Sequence, residues 1–352
     1  MVTAKYFAMK LVISSVKIQI VCLWMVGSSL VATQADWMQN LPDTVKARPM
    51  TQLKLLGSHD SGAYRLNLTA TPPMEETPMM DWVVDIARDN PEANQVLRQV
   101  TLAQRLNISE QLQQGIRALD LRILYNSDVQ EFFMSHSMAT DTLSSGLAQI
   151  RQFMTEHPGE LIVIQMQDDA EHGEMTAPHN HEAISMVHAA LGQFLIPVTQ
   201  NRTLNSTMTL GTLVKSNKRI LFSFLDRLSR KYGDIWSSSV INTSWPNGQT
   251  VNESLSTIQT YLPALRHAKN TLLNLVFFTI TPTKDSIIAG VIGEALCGGV
   301  ADSLFEWASQ INAASMAFIS QNLSLLKGLN IISIDNPSDG DVEQAIAWNY
   351  DN

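Results

Sequence analysis

Histidine, carboxylate and arginine side chains follow three short apolar runs in the first half of this sequence. His59 and Asp60 come directly after the first run, Asp120 and Arg122 lie at the end of the second, and His136 closes the third. Side chains alternate along an extended strand, so Asp120 and Arg122 must point to the same side. A single histidine is more often structural than catalytic, but three consecutive runs with this set together predict an active site.

Two histidines beside an arginine suit the cleavage of a phosphodiester by an internal hydroxyl group. One neutral imidazole can remove the proton of the attacking hydroxyl, and a protonated imidazole can donate a proton to the leaving oxygen. The guanidinium group matches two phosphate oxygens at once and stabilises the charge on them. These residue types therefore predict phosphodiester chemistry.

Apolar runs alternate with amphipathic stretches along the chain, and this alternation predicts the elements that carry the site. The predicted strands are 52–56, 116–121, 131–134, 161–166, 219–224, 272–279 and 330–334. The predicted helices are 109–114, 142–156, 182–194, 250–268 and 303–326. Repeated strand–helix units without a break in composition predict one α/β domain, a parallel TIM-type barrel that can be irregular. A doubly wound open sheet is the alternative.

Residues 69–92 do not fit this alternation of strands and helices. Four prolines and Trp82 lie there among acidic residues and methionines, which predicts a long loop with a short helix after the first strand. In a barrel, such a loop lies at the catalytic face. It is either a packed insertion or a lid that contacts lipid.

Composition and charge exclude several classes of protein. The 352 residues are 45% hydrophobic and 16% charged, which is typical of a folded domain and not of a disordered chain. The formal net charge of −9 argues against a nucleic-acid partner, because phosphate neutralisation needs a basic surface. No protein partner is indicated.

The first 35 residues are typical of a secretory signal peptide. Lys5 and Lys10 precede an uncharged, largely apolar stretch at 18–32, and a small-x-small cleavage site ends at Ala35. We therefore expect a secreted protein whose barrel domain spans 36–352. Cys297 is then the single remaining cysteine. Glycosylation is predicted from seven sequons, at Asn67, Asn107, Asn201, Asn205, Asn242, Asn252 and Asn322.

Four sequence blocks between residues 50 and 170 carry a family resemblance. They are Leu-Leu-Gly-Ser-His-Asp-Ser-Gly-Ala-Tyr at 55–64, Gln-Leu-Gln-Gln-Gly-Ile-Arg-Ala-Leu-Asp-Leu-Arg at 111–122, Phe-Met-Ser-His at 133–136 and Pro-Gly-Glu-Leu-Ile-Val-Ile at 158–164. In order and spacing they resemble the phosphatidylinositol-specific phospholipase C X-domain family, and most closely its single-domain members. A weaker likeness continues through 245–247 and 334–336.

The resemblance implies a role for each matching residue. His59 matches the base that deprotonates the inositol 2-hydroxyl, and His136 matches the acid that protonates the diacylglycerol oxygen. Asp60 matches an aspartate near the phosphate, and Asp335 matches the carboxylate that orients the base. The implied products are diacylglycerol and inositol 1,2-cyclic phosphate, from phosphatidylinositol or a related inositol glycolipid at a membrane surface.

The resemblance also bears on metal use. Arg122 stands where calcium-dependent members carry an acidic ligand and where metal-independent bacterial members carry an arginine. Asp60 replaces an asparagine, and Gln167 replaces a glutamate ligand. We therefore expect no metal and no cofactor, although Asp60, Asp120 and Asp168 could form an oxygen-ligand cluster.

Substrate binding and function leave alternatives open. Asp120, Gln167 and Trp245 are the candidate substrate-binding residues, and Trp245 either stacks on the inositol ring or packs the rim. A glycerophosphodiester phosphodiesterase and a catalytically inactive inositol-lipid-binding module are the alternative functions. The presence of both His59 and His136 favours an enzyme.

Overall fold

A computed structural model of the chain describes residues 34–74, 78–169, 175–265, 270–281, 283 and 303–350. The strands are β1 Leu55–Ser58, β2 Ala118–Asn126, β3 Glu131–His136, β4 Met138–Thr142, β5 Ile162–Asp168, β6 Ile220–Phe224, β7 Trp236–Ser237, β8 Ile241–Ser244, β9 Leu273–Phe278 and β10 Ile331–Ile334. The α-helices are α1 Asp43–Lys46, α2 Pro78–Asp89, α3 Pro91–Thr101, α4 Ile108–Gln114, α5 Leu143–Glu156, α6 Ala177–Leu191, α7 Leu210–Lys215, α8 Asp226–Ser229, α9 Val251–Leu265, α10 Leu304–Gln321 and α11 Asp339–Ala347.

The sheet order shows that the strands curl into an incomplete barrel. The hydrogen-bonded order is β7-β6-β5-β2-β1-β10-β9-β8, and each neighbouring pair in it is parallel. The first strand pairs with the last, and the two ends of the path are consecutive in the chain. This cyclic order belongs to a curled sheet, so the predicted parallel barrel is confirmed and the doubly wound open sheet is wrong.

On β1, β2, β5 and β10 the inner face of the barrel changes from apolar to polar along the strand. Near the amino ends, alternate residues pack together in one apolar cluster, among them Leu55, Ala118, Val163, Leu275 and Ile331. Two or four residues further along, the same side of these strands carries polar and charged residues, which are His59, Asp120, Arg122, Gln165, Gln167 and Asp335. Polar groups therefore gather where the carboxyl ends of the strands meet, the usual place for an active site in this architecture.

The third strand is not part of the parallel barrel. β2 extends past the barrel and pairs antiparallel with β3, with Ile123 opposite Met134, and β3 pairs antiparallel with β4. The predicted strand at 131–134 exists, but it is not one of the parallel barrel strands. Because β3 runs back toward the barrel, its last residue, His136, still reaches the mouth.

The segment 69–92, predicted as a long loop with a short helix, contains the 12-residue helix α2 and the first turn of α3 instead. In α3, Pro91 occupies the first turn and the Asn90 side chain accepts from the Ala93 N–H, so this proline starts a helix instead of breaking one. Buried side chains of α2 and α3, including Val83 and Leu97, pack with Met138. The insertion is thus packed against the chain directly after His136.

Parts of the sequence interpretation lie outside the described residues. These are residues 1–33 of the predicted signal peptide, which include Cys22, and Cys297. The signal peptide boundary and secretion therefore stay predictions. Within the described ranges, no helix combines the length and apolar character needed to cross a bilayer.

Candidate active site

His59 and Asp335 are adjacent because they directly follow β1 and β10, which are neighbouring parallel strands. Ser58 pairs with Ile334 at the ends of these strands, so the next residue of each strand lies at the same level of the mouth. The Nδ1 atom of His59 lies 2.8 Å from Asp335 Oδ1, and both side chains are buried. A carboxylate accepts a hydrogen bond, so this contact places a proton on Nδ1 and turns Nε2 toward the barrel mouth.

Asp60 lies between the positively charged and titratable groups of the site. Its φ of 42° is left-handed, a conformation that aspartate tolerates better than most residues, and the chain turns sharply there. One carboxylate oxygen, Oδ1, lies 2.7 Å from Arg122 Nε. The other, Oδ2, lies 3.0 Å from His59 Nε2 and 3.3 Å from His136 Nε2. Asp60 therefore links the arginine to both histidines.

A backbone carbonyl orients the second histidine. His136 Nδ1 lies 2.7 Å from the carbonyl oxygen of Thr101, the last residue of α3. A carbonyl only accepts, so Nδ1 carries a proton and Nε2 faces Asp60. The two imidazole rings lie 6.1 Å apart, centroid to centroid. The helical insertion thus supplies the group that fixes this ring.

Asp120 supports the turn that carries Asp60. Asp120 Oδ2 accepts from the Asp60 N–H at 3.4 Å, and Oδ1 accepts from Gln167 Nε2 at 3.0 Å. The Asp120 N–H in turn donates to Ser61 Oγ at 2.9 Å. Burial raises the pKa of the Asp120 carboxyl, although nearby Arg122 opposes this. Substrate-binding roles for Asp120 and Gln167 stay predictions.

Two carboxylates control the charge of His59. Burial lowers the pKa of its imidazole, but Asp60 and Asp335 outweigh burial and raise that pKa to about 10. For the Asp60 carboxyl, burial acts to raise the pKa, but Arg122, His136 and His59 together hold it far below its ordinary value. The free site therefore holds an ionised Asp60 and a protonated His59 at neutral pH.

The contacts of His59 Nε2 are compatible with two protonation states of the imidazole. Arg122 Nη2 hydrogen-bonds His59 Nε2 at 3.1 Å. Guanidinium nitrogens only donate, so this bond belongs to the neutral imidazole. The 3.0 Å contact between Nε2 and Asp60 Oδ2 belongs to the imidazolium. The same geometry therefore accommodates His59 with and without the Nε2 proton.

Trp245 forms a wall of the site beside His59. Its ring centroid lies 5.0 Å from that of His59 and 4.8 Å from that of Phe277. Phe277 itself lies edge-on to His59 at 5.4 Å. Trp245 therefore packs at the rim next to the predicted base, and stacking on a substrate ring stays a prediction.

One group of described side chains has the spacing of a metal site. Ligand atoms of His59, Asp60 and Asp120 lie within 4.8 Å of one another. Asp168, which the sequence placed in an oxygen-ligand cluster, does not belong to this group: it follows Gln167 on β5, and its Oδ2 lies 3.9 Å from Arg227. The guanidinium of Arg122 contacts Asp60 and His59, so its positive charge already neutralises these potential metal ligands.

Sequence reasoning missed three contributors to the site. Thr101 acts through its carbonyl, so its side chain gave no signal. Phe277 is an ordinary apolar residue within β9. Gln104 is buried and contacts the backbone of His59 and Asn336, and a single glutamine between Ala103 and Arg105 gave no signal in the sequence.

The sequence comparisons agree on a family. The PI-PLC X family model matches residues 92–240, a range that includes Arg122 and His136. Human PI-PLC X domain-containing protein 2 is 26% identical over 262 residues, which cover 74% of this chain and 81% of that protein. PI-PLC X domain-containing protein 3 of Danio rerio is 24% identical over 319 residues, which cover 90% and 93%.

Solved structures show the same fold. Phosphatidylinositol-specific phospholipase C from Listeria monocytogenes superposes with a TM-score of 0.61 at 17% identity, covering 89% of this chain and 98% of that one. A pentafluoro-Phe variant of phosphatidylinositol-specific phospholipase C from Staphylococcus aureus gives 0.60 at 16% identity, covering 91% and 98%. By sequence, residues 92–240 match the PI-PLC X family, and the chain is similar over most of its length to PI-PLC X domain-containing proteins 2 and 3.

Proposed function

We propose that this protein is a phosphodiesterase that cleaves phosphatidylinositol or a related inositol glycolipid to diacylglycerol and inositol 1,2-cyclic phosphate. One observation carries the proposal. The Nε2 atoms of His59 and His136 face the same Asp60 oxygen beside Arg122, while each Nδ1 is held by a separate acceptor. Two oriented imidazoles and one guanidinium are the set that an internal attack on a phosphodiester needs.

In the proposed reaction each side chain has one task. His59 Nε2 takes the proton of the inositol 2-hydroxyl as that oxygen attacks phosphorus. The bond from phosphorus to the diacylglycerol oxygen breaks, and His136 Nε2 gives its proton to that oxygen. Arg122 binds the non-bridging phosphate oxygens, whose charge grows in the transition state. No water is consumed, and the site ends with the proton on His59 instead of His136.

Asp60 is the group through which the two histidines can exchange the proton that this reaction requires on His136. Catalysis starts with a neutral His59 and a protonated His136, whereas the high pKa of His59 favours a proton there in the free site. Asp60 Oδ2 contacts both Nε2 atoms, at 3.0 and 3.3 Å, and is therefore the group through which this proton can pass. The pH dependence of cleavage then reports the coupled pair and not either histidine alone.

Excess chelator is expected to leave the cleavage rate unchanged. Arg122 contacts all three residues with metal-ligand spacing, and its charge persists at physiological pH, so a divalent ion would be repelled. The measurement is the initial rate on mixed micelles with EDTA and with added calcium. Loss of activity in EDTA with recovery in calcium, together with calorimetric calcium binding that Asp120→Asn abolishes, would contradict this.

The first product is expected to be inositol 1,2-cyclic phosphate. A 2-hydroxyl held beside phosphorus has a high effective concentration, whereas a water molecule would have to be positioned separately. Phosphorus NMR at early time points identifies the product, and glycerophosphoinositol serves as the competing substrate. Phosphatidic acid would show that a different bond breaks. Faster turnover of the glycerophosphodiester would favour the alternative enzyme, and lipid binding without turnover would favour a binding module.

A further inference from the structure

A buried glutamine connects the two loops that carry His59 and Asp335. Gln104 is 1% exposed and follows α3 by three residues. Its Nε2 donates to the His59 carbonyl at 2.7 Å and to the Ile334 carbonyl at 3.3 Å. Its Oε1 accepts from the Asn336 N–H at 3.2 Å. One side-chain amide thus contacts the backbone of His59 and the backbone of the residues directly before and after Asp335.

The backbone at these points needs such support. Asp60 and Asn336, which directly follow His59 and Asp335, both have a left-handed φ of 42°. The chain therefore leaves the regular strand ladder immediately after each residue of the pair. A buried carbonyl that loses its ladder partner is costly unless another donor replaces it. Gln104 supplies that donor to His59.

We propose that Gln104 is a positioning residue that sets the geometry of the His59–Asp335 pair by tying the loop after β1 to the loop after β10. The role proposed for His59 in catalysis rests on the proposed function, but the positioning itself does not. The 2.8 Å contact between His59 Nδ1 and Asp335 Oδ1 depends on two loops from opposite ends of the chain. A displacement of either loop would weaken this contact.

The same short segment also serves the second histidine. The Thr101 carbonyl fixes His136 Nδ1, and Gln104 lies three residues later. The Ala103 carbonyl adds a contact to the Asn336 N–H at 2.9 Å. Residues 101–104 therefore hold the predicted acid and the predicted base relative to each other.

A matched control residue lies at the other end of β1. Asn349 is 1% exposed, its Nδ2 donates to the Lys54 carbonyl at 2.9 Å, and its Oδ1 accepts from the Lys54 N–H at 2.9 Å. It is thus a buried amide bound to the backbone of the residue directly before β1, whereas Gln104 binds the backbone of the residue directly after it. Gln104→Met and Asn349→Leu remove comparable hydrogen bonds from the two ends.

The decisive measurement is the titration of His59 by NMR in ligand-free protein. The charged and titratable groups around its ring are Asp60, Asp120, Asp335, Arg122 and His136. We expect both variants to lower Tm, but only Gln104→Met to lower the pKa of His59, by about one unit or more, because its contact with Asp335 loosens. An unchanged His59 titration in folded Gln104→Met, or an equal shift in Asn349→Leu, would overturn the proposal.

Kinetics separate this inference from the proposed function. In Gln104→Met we expect kcat on the inositol lipid to fall about tenfold or more, with KM changed less than about twofold. A wild-type protein without lipid cleavage would refute the proposed function and leave the NMR result to decide the inference. If Gln104→Met does not fold, Gln104→Asn takes its place: its side chain is too short for the 2.7 Å bond, and an unchanged His59 titration in it would overturn the proposal equally.

Discussion

Replacement of His59 or His136 by alanine is expected to lower kcat by about 10²–10⁴-fold while the fold survives. His59 is the predicted base and His136 the predicted acid, and both contact Asp60 Oδ2. Because the two histidines act in one proton-transfer sequence, the double variant should lose about as much as either single variant. Initial rates on phosphatidylinositol micelles, with circular dichroism to verify folding, provide the measurement.

His157 provides a matched control for this experiment. Its Nδ1 lies 2.8 Å from Asp36 Oδ1, the same distance as in the His59–Asp335 pair, but it caps α5 at the amino end of the barrel. We expect His157→Ala to change kcat by less than about twofold. Near-normal activity in a folded His59→Ala or His136→Ala protein would remove that residue from the mechanism.

The free energy of unfolding is expected to fall between pH 6.5 and pH 10 because His59 loses its proton. Its folded pKa of about 10 lies above the ordinary value of 6.5, so the stabilisation is fully present below pH 6.5 and is lost as the pH rises through 10. A shift of this size corresponds to at most about 5 kcal/mol. Urea unfolding at pH 6, 8 and 10 measures the change.

The buried side chain of Lys54 changes the free energy of unfolding with pH in the opposite direction. The experiment therefore needs a control that contains the same lysine. Burial, with a smaller effect of Arg48, lowers the pKa of Lys54 from 10.5 to about 8, so that its contribution to stability improves as the pH rises. The difference between wild type and His59→Gln cancels this contribution. A pH dependence that is the same in both proteins would show that His59 holds no proton in the free site.

The sequence by itself determined the residue types of the site and the strand ends that carry them. Alternation along a strand is a local property, so Asp120 and Arg122 could be assigned to one face without a structure. Parallel strands bring their carboxyl ends together, which brought His59 to the same mouth. The weaker likeness at 334–336 already suggested that Asp335 belongs there. The family resemblance rests on these same local blocks.

Local patterns did not determine the direction of β3 or the helices of the insertion. A short apolar run ending in His136 is the same in a parallel barrel strand and in an antiparallel hairpin, because strand direction depends on the partner and not on the run. The prolines at 78 and 91 were read as loop signals, but at the first turn of a helix a missing N–H costs nothing.

Only the tertiary structure decided how the two histidines are oriented. The His59–Asp335 contact joins residues 276 positions apart, and it exists because the first and last strands pair when the sheet curls. The Thr101 carbonyl and the Gln104 amide act through the backbone, which is chemically the same at every residue and leaves no mark in the sequence. Orientation therefore comes from the packing of distant segments, whereas the chemistry it serves is already visible in the order of the residues.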